Sequence, residues 1–158
     1  MQGRKSAYMF TPLNLPPYPF KISKKENQHF IFDEIRKKHL VLTPEEWVRQ
    51  HFIRFLVDEK LFPAGLLQIE SGLQLNHTSK RSDILAYTLQ GEKLMLIECK
   101  APHIPISQAT FDQAARYNSV YKAPWLAVTN GMQHYFAKID HFNGSFSFVK
   151  ELPLYSAL

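Results

Sequence analysis

Arg81-Ser82-Asp83-Ile84-Leu85-Ala86-Tyr87-Thr88-Leu89-Gln90-Gly91-Glu92-Lys93-Leu94-Met95-Leu96-Ile97-Glu98-Cys99-Lys100 is the stretch on which the fold turns. Gln90-Gly91 is a turn signal between two apolar runs, which reads as a β-hairpin over strands 83–89 and 94–99. A two-residue loop there pairs Leu89 with Glu92, and counting back in register puts Asp83 opposite Glu98. Their Cβ atoms would then lie about 5 Å apart. Strand side chains alternate faces, so Glu98 and Lys100 share one face and Cys99 points to the other.

Such a cluster needs an explanation. Two carboxylates at that separation repel, and Leu94, Leu96 and Ile97 make the surroundings apolar. Lys100 supplies one compensating charge. A divalent cation supplies more, and hard oxygen ligands suit Mg²⁺ or Mn²⁺, which keep several waters for a substrate phosphate to displace. The chemistry that follows is metal-assisted phosphodiester hydrolysis, with an acidified water as nucleophile and Lys100 orienting it or stabilising developing charge. The acid-x-lysine pattern is weak alone: Asp58-Glu59-Lys60 repeats it near a helix end, where it reads as solvated surface. Glu98 differs because four apolar residues precede it, Leu94 to Ile97. On spacing and context alone, a functional site and a structural Glu98–Lys100 pair both stand.

Outward from the hairpin, Thr43-Pro44-Glu45-Glu46 starts a helix, with Thr43 as cap, Pro44 at the first position and Glu46 completing a capping box. Val48, Phe52, Phe55, Leu56 and Leu61 recur at helical spacing, and the helix should end before Pro63, near Lys60. Leu67, Ile69, Leu73 and Leu75 alternate with polar residues, as in a half-buried or edge strand. Residues 107–121 read as a helix starting at Ser107, and residues 124–129 as a strand. Asn130-Gly131 makes a hairpin turn into a strand over 132–139, and Phe146–Val149 reads as the last strand. Helix, three strands, helix, then more strands imply an α/β fold, a mixed sheet with helices on its faces. Residues 1–42 read as a Pro-rich arm and lead-in, with a short strand or turn around 30–32 and a second strand over 35–41, and residues 43–158 as one domain.

The bulk properties agree with that reading. A chain of 158 residues with 45% hydrophobic and 21% charged residues suits one core. The single cysteine excludes an internal disulfide and favours a reducing, cytoplasmic setting. No run approaches a membrane span or a secretory signal. The formal charge of +5 fits a polyanionic partner without requiring one. Lys80 and Arg81 suit phosphate contacts near Asp83, or a solvated loop.

Four stretches in order resemble a known family: Ser82-Asp83-Ile84, Leu96 to Pro102 with Glu98-Cys99-Lys100 inside, Gln113-Ala114-Ala115-Arg116-Tyr117, and Leu126 to Gly131 ending in Thr129-Asn130-Gly131. They are similar to the N-terminal domain of the type I restriction enzyme R subunit, within the PD-(D/E)XK nuclease superfamily. The similarity runs from about Glu45 to about Ile139. It implies a restriction-endonuclease-like fold, with Asp83 and Glu98 as metal-binding carboxylates and Lys100 as the catalytic lysine. Gln113 and Tyr117 match its Gln-x-x-x-Tyr motif; four residues apart, they share one helical face, where ordinary packing is the competing explanation. Glu46 matches an upstream acidic position that can join the metal site, although its capping role explains it equally, and Glu45 is the fallback. Ser82 stands where the superfamily's name has proline. No G-x-x-x-x-G-K-[ST] loop is present, so the expectation is a stand-alone domain acting on DNA, with a separate motor or specificity protein as a further partner. The alternative is a nucleic-acid-binding or protein-interaction module on the same fold that has lost turnover.

Overall fold

The computed structural model describes residues 10–69 and 84–158. Residues 10–21 run without regular structure, as Pro12, Pro16, Pro17 and Pro19 require. A small antiparallel sheet follows, built from β1 (Ile22–Lys25), β2 (Gln28–Asp33) and β3 (Lys38–Val41). The lead-in is therefore more ordered than its sequence suggests. Its first turn carries no glycine: Glu26 and Asn27 both take positive φ, at 52° and 62°, closing Lys25 against Gln28. Paired positive φ values are what a two-residue hairpin loop needs, but glutamate rarely supplies one. The strand expected over 35–41 is shorter because Asp33 accepts bonds from the Ile35 and Arg36 amides, both at 2.9 Å, and turns the chain there.

Helix α1 (Pro44–Arg54) begins where Thr43 Oγ1 accepts from the Glu46 amide at 3.1 Å. Only this half of the expected capping box forms, because the Glu46 carboxylate turns to Arg36, Arg49 and Gln50. A wider π turn continues the helix over Phe55–Glu59, and the chain leaves it before Pro63, as its periodicity predicts.

The main sheet has six strands in the order β4 (Leu67–Ile69), β5 (Ile84–Tyr87), β6 (Lys93–Cys99), β7 (Trp125–Thr129), β8 (His134–Asp140) and β9 (Ser145–Val149). Among the described strands only β6 and β7 pair in parallel, and helix α2 (Gln108–Tyr121) makes the crossover between them. Its start is a full capping box, with Ser107 and Thr110 exchanging side-chain bonds. The fold is thus a mixed α/β sheet flanked by helices.

Helices on both faces explain the uninterrupted Leu94–Ile97 run. One core joins Val48 and Phe52 of α1 and Leu56 of the π turn to Ile84, Met95, Ile97 and Cys99. The other joins Phe111, Ala114 and Tyr121 of α2 to Leu85, Leu96, Leu126 and Val128. The last residues pack back, with Leu152 buried and the Tyr155 hydroxyl donating to the Tyr87 carbonyl at 2.9 Å.

The central hairpin keeps the expected pairing for an unexpected reason. Its loop is one residue longer than two: the Thr88 amide donates to the Glu92 carbonyl at 2.7 Å, and Gly91 takes φ 83°. A bulge opposite Ala86 and Tyr87 then places one extra residue, Leu94, on β6. The two offsets cancel, so Ile84 faces Ile97 and Leu85 faces Leu96, as a two-residue turn would have given.

Candidate functional site

Strand β6 delivers Glu98 and Lys100 to the edge of the core. Buried Met95, Leu96 and Ile97 pin the strand. Leu96 belongs to the core beneath α2, and Glu98 follows it on that face, while Ile97 and Cys99 pack towards α1. Glu98 lies beside Val128 and Cys99 beside Thr129 in the parallel ladder. The Lys100 amide donates to the Thr129 carbonyl at 2.8 Å, so the backbone of Lys100 is held just past the strand's end.

The two side chains meet: Lys100 Nζ lies 3.0 Å from Glu98 Oε1, with side-chain exposures of 28% and 16%. The pair is neither sealed nor fully solvated. The ammonium sits on one Glu98 oxygen, Oε1, and a carboxylate oxygen is a hard donor. Asp83, Lys80 and Arg81 lie outside the described residues, and the described pairing of β5 with β6 ends at Ile84 and Ile97.

The remaining candidates are distributed differently. Gln113 and Tyr117 sit on α2, as expected from the helix boundaries. Tyr117 packs against the core beneath that helix and its hydroxyl lies 3.4 Å from that of Tyr121, while Gln113 is half-buried. Glu46 is buried on α1 within an acid–base network. Arg49 pairs with it, Arg36 Nη2 lies 3.4 Å from Oε1, and Gln50 donates to Oε1 at 3.0 Å. Asp33 is fully buried in the same network, taking Arg36 Nε at 2.8 Å and Gln50 Nε2 at 3.2 Å. Glu45, the fallback, pairs with Arg49 at 2.9 Å. Among the described residues, no three His, Cys, Asp or Glu side chains gather as a metal-holding group.

Burial pushes the Asp33 carboxyl up, but the amide, guanidinium and charge of Arg36, with Gln50, outweigh it and hold it below its usual value. Two histidines are shifted the same way by burial. His51, bonded to the Trp47 carbonyl, and His134, bonded to the Asn14 carbonyl, both lie below the ordinary imidazole value.

Residues 44–153 match the family model described as the type I restriction enzyme R protein N terminus. The chain belongs to that family. The match begins at Pro44, the first residue of α1, and takes in the whole main sheet. A solved fragment of a chain described as an HsdR subunit of a type I restriction enzyme, from Vibrio vulnificus, is similar at a TM-score of 0.49 and 18% identity. The alignment covers 69% of this chain and 23% of that one, so this member of the R-protein N-terminal family spans about a quarter of that structure. No curated protein sequence matches the chain. Among the described residues, no helix is long and apolar enough to cross a membrane.

No local pattern signals the Asp33–Arg36–Glu46–Arg49 network, because its members come from a turn and a helix whose packing is tertiary. The hairpin after β7 reads as a turn motif, but its spacing does not foretell the bonds it makes to the segment following Lys100. A hydroxyl and an amide side chain, Thr129 and Asn130, in an otherwise apolar run were the available signal.

Proposed function

We propose that the chain is a metal-dependent nuclease of the PD-(D/E)XK type, hydrolysing DNA phosphodiester bonds at the end of β6 with Mg²⁺ or Mn²⁺. The observation that carries it is the Glu98–Lys100 pair: an acid and a base 3.0 Å apart, partly exposed, at the tip of a strand buried along its length. Buried strands rarely end in two ionisable groups on one face without a use for them. Membership of the restriction R-protein N-terminal family supports DNA as substrate and other restriction subunits as partners.

Glu98 offers a hard oxygen donor, the kind a Mg²⁺ or Mn²⁺ ion takes, and Asp83, one residue before β5, is proposed as the second. The ion would supply charge neutralisation at the phosphoryl oxygen and a more acidic bound water. Lys100 has the reach to orient that water by its ammonium protons and to stabilise negative charge as the phosphodiester is attacked. Gln113 and Tyr117 are proposed to steady the substrate side of the site, and Lys80 and Arg81 to meet backbone phosphates. Glu46 is assigned to the buried network, since its carboxylate is already engaged by Arg36, Arg49 and Gln50.

A plasmid nicking assay with Mg²⁺ or Mn²⁺ tests this. Wild type should nick, and Asp83→Ala, Glu98→Gln and Lys100→Ala should each lose about 100-fold or more, the size expected when a charge-stabilising group is removed. Equal, low activity in all four proteins overturns the enzyme reading. Salt-dependent DNA binding retained in that case would support the binding module instead.

A further inference from the structure

The hairpin Asn130–Gln133 between β7 and β8 grips the chain on the far side of Lys100 at two points. The Thr129 carbonyl takes the Lys100 amide at 2.8 Å, and Asn130 Nδ2 donates to the Ile104 carbonyl at 2.9 Å. Between those points lies the whole exit from the site, Ala101 to His103. The hairpin is itself fixed from within. Asn130 Oδ1 accepts the Met132 and Gln133 amides at 2.9 and 2.8 Å, and Thr129 Oγ1 accepts the Gly131 amide at 2.9 Å.

The hydroxyl proton of Thr129 is then available to His134 Nδ1, 2.7 Å away, which leaves His134 Nε2 as the donor to the Asn14 carbonyl at 2.9 Å. That arrangement requires a neutral imidazole. The N-terminal arm completes the brace: the Asn14 amide donates to the Gly131 carbonyl at 2.8 Å. Leu13 lies so close to Gly131 that an added Cβ would meet its Cδ2 at 2.7 Å. Thr129 is fully buried and Asn130 nearly so. Packing alone would be served as well by valine at 129. A hydroxyl with its acceptor and donor capacity both used is a device for fixing where the adjoining carbonyl points.

We infer that Thr129 is a positioning residue for Lys100, acting through its backbone carbonyl, with Asn130, His134 and the Leu13-Asn14 arm holding the hairpin in place. The inference rests on the proposed nuclease reading only for its consequence on cleavage; the positioning of Lys100 is measurable without it.

Thr129→Val removes the hydroxyl and keeps the shape, while Thr129→Ser keeps the hydroxyl. Amide hydrogen exchange and plasmid nicking are measured on wild type and both variants. In Thr129→Val the Lys100 amide should exchange about tenfold faster, the scale of one buried hydrogen-bond partner lost. Leu96 and Ile97 should keep wild-type protection, and Thr129→Ser should stay near wild type throughout. Nicking by Thr129→Val should fall in kcat by a similar factor with KM little changed, and serine should rescue it. Equal exchange at Lys100 in valine and serine variants overturns the inference, as does faster exchange spread evenly over β6 and β7, which marks a merely structural hydroxyl. If wild type does not nick at all, the nuclease reading fails and the exchange data still decide the positioning.

Discussion

Glu46 and Glu98 are both carboxylates beside a basic side chain, yet they stand in opposite circumstances. Glu46 has a side-chain exposure of 6% and is engaged by two guanidiniums and an amide. Its oxygens are spoken for, and the partners lie on the same helix or on the turn packed against it. Glu98 pairs, among the described residues, with Lys100, which sits two residues on in the same strand end, and its exposure is 16%. A network with matched donors and little solvent holds elements together and leaves no valence for a ligand. A partly exposed pair at a rim adds little to folding. The difference teaches that the ratio of donors to carboxylate oxygens, rather than the presence of an acid–base contact, separates a structural cluster from a candidate site.

The comparison breaks most visibly if the two clusters respond alike to mutation. Lys100→Ala should cost nicking about 100-fold or more while shifting stability by less than about 1 kcal/mol, as for partly exposed pairs. Activity and melting temperature on one preparation check it, and a large fall in melting temperature would move Glu98–Lys100 into the structural class. Next in size, Arg49→Met should destabilise the fold by roughly 3–5 kcal/mol, because it leaves Glu46 buried with less compensation. Urea unfolding measures this, and a change under about 1 kcal/mol would mean that Arg36 and Gln50 suffice.

The pH dependence of stability sharpens the contrast further. His51 and His134 have folded values below their unfolded value of about 6.5. Folding therefore favours their neutral forms; the stability they contribute is whole above that pH and is lost as pH falls towards and through the lower folded values. Asp33 is likewise lowered, so its contribution is present above about pH 4 and lost as pH falls further. Melting temperature should fall in two stages on acidification, and His134→Gln should reduce the first. An unchanged first stage in that variant and in the matching His51 variant would overturn the assignment. The smallest effect is expected at Lys37, 72% exposed and 3.6 Å from Glu34, where Lys37→Ala should change stability by less than about 0.5 kcal/mol.

Most of the main sheet was legible because its signals are local. The Leu94–Ile97 run, Thr43-Pro44 and Ser107 caps, and turn signals at Gln90-Gly91 and Asn130-Gly131 name their elements without tertiary help. The small sheet was partly hidden, since Glu26-Asn27 turns without glycine and Asp33 draws its turn from side-chain bonds. Glu46 shows the limit for sites: a capping position, a buried ion pair and a metal ligand all read as the same residue in the same place.

By itself, the sequence determined that Glu98 and Lys100 would leave a buried strand on one face, because a two-residue alternation needs no more than the backbone. It also determined the order of helices and strands, through capping and periodicity. Only the tertiary structure decided that a three-residue loop and a bulge would cancel to preserve the Ile84–Ile97 pairing. It alone drew Glu46 to arginines from two elements, and tied Lys100 through Thr129 and His134 to an arm more than eighty residues away in the chain. The physical reason is range: periodicity and capping act within a few residues, whereas the partner of a buried polar atom is chosen by whatever the packed fold brings within hydrogen-bond reach.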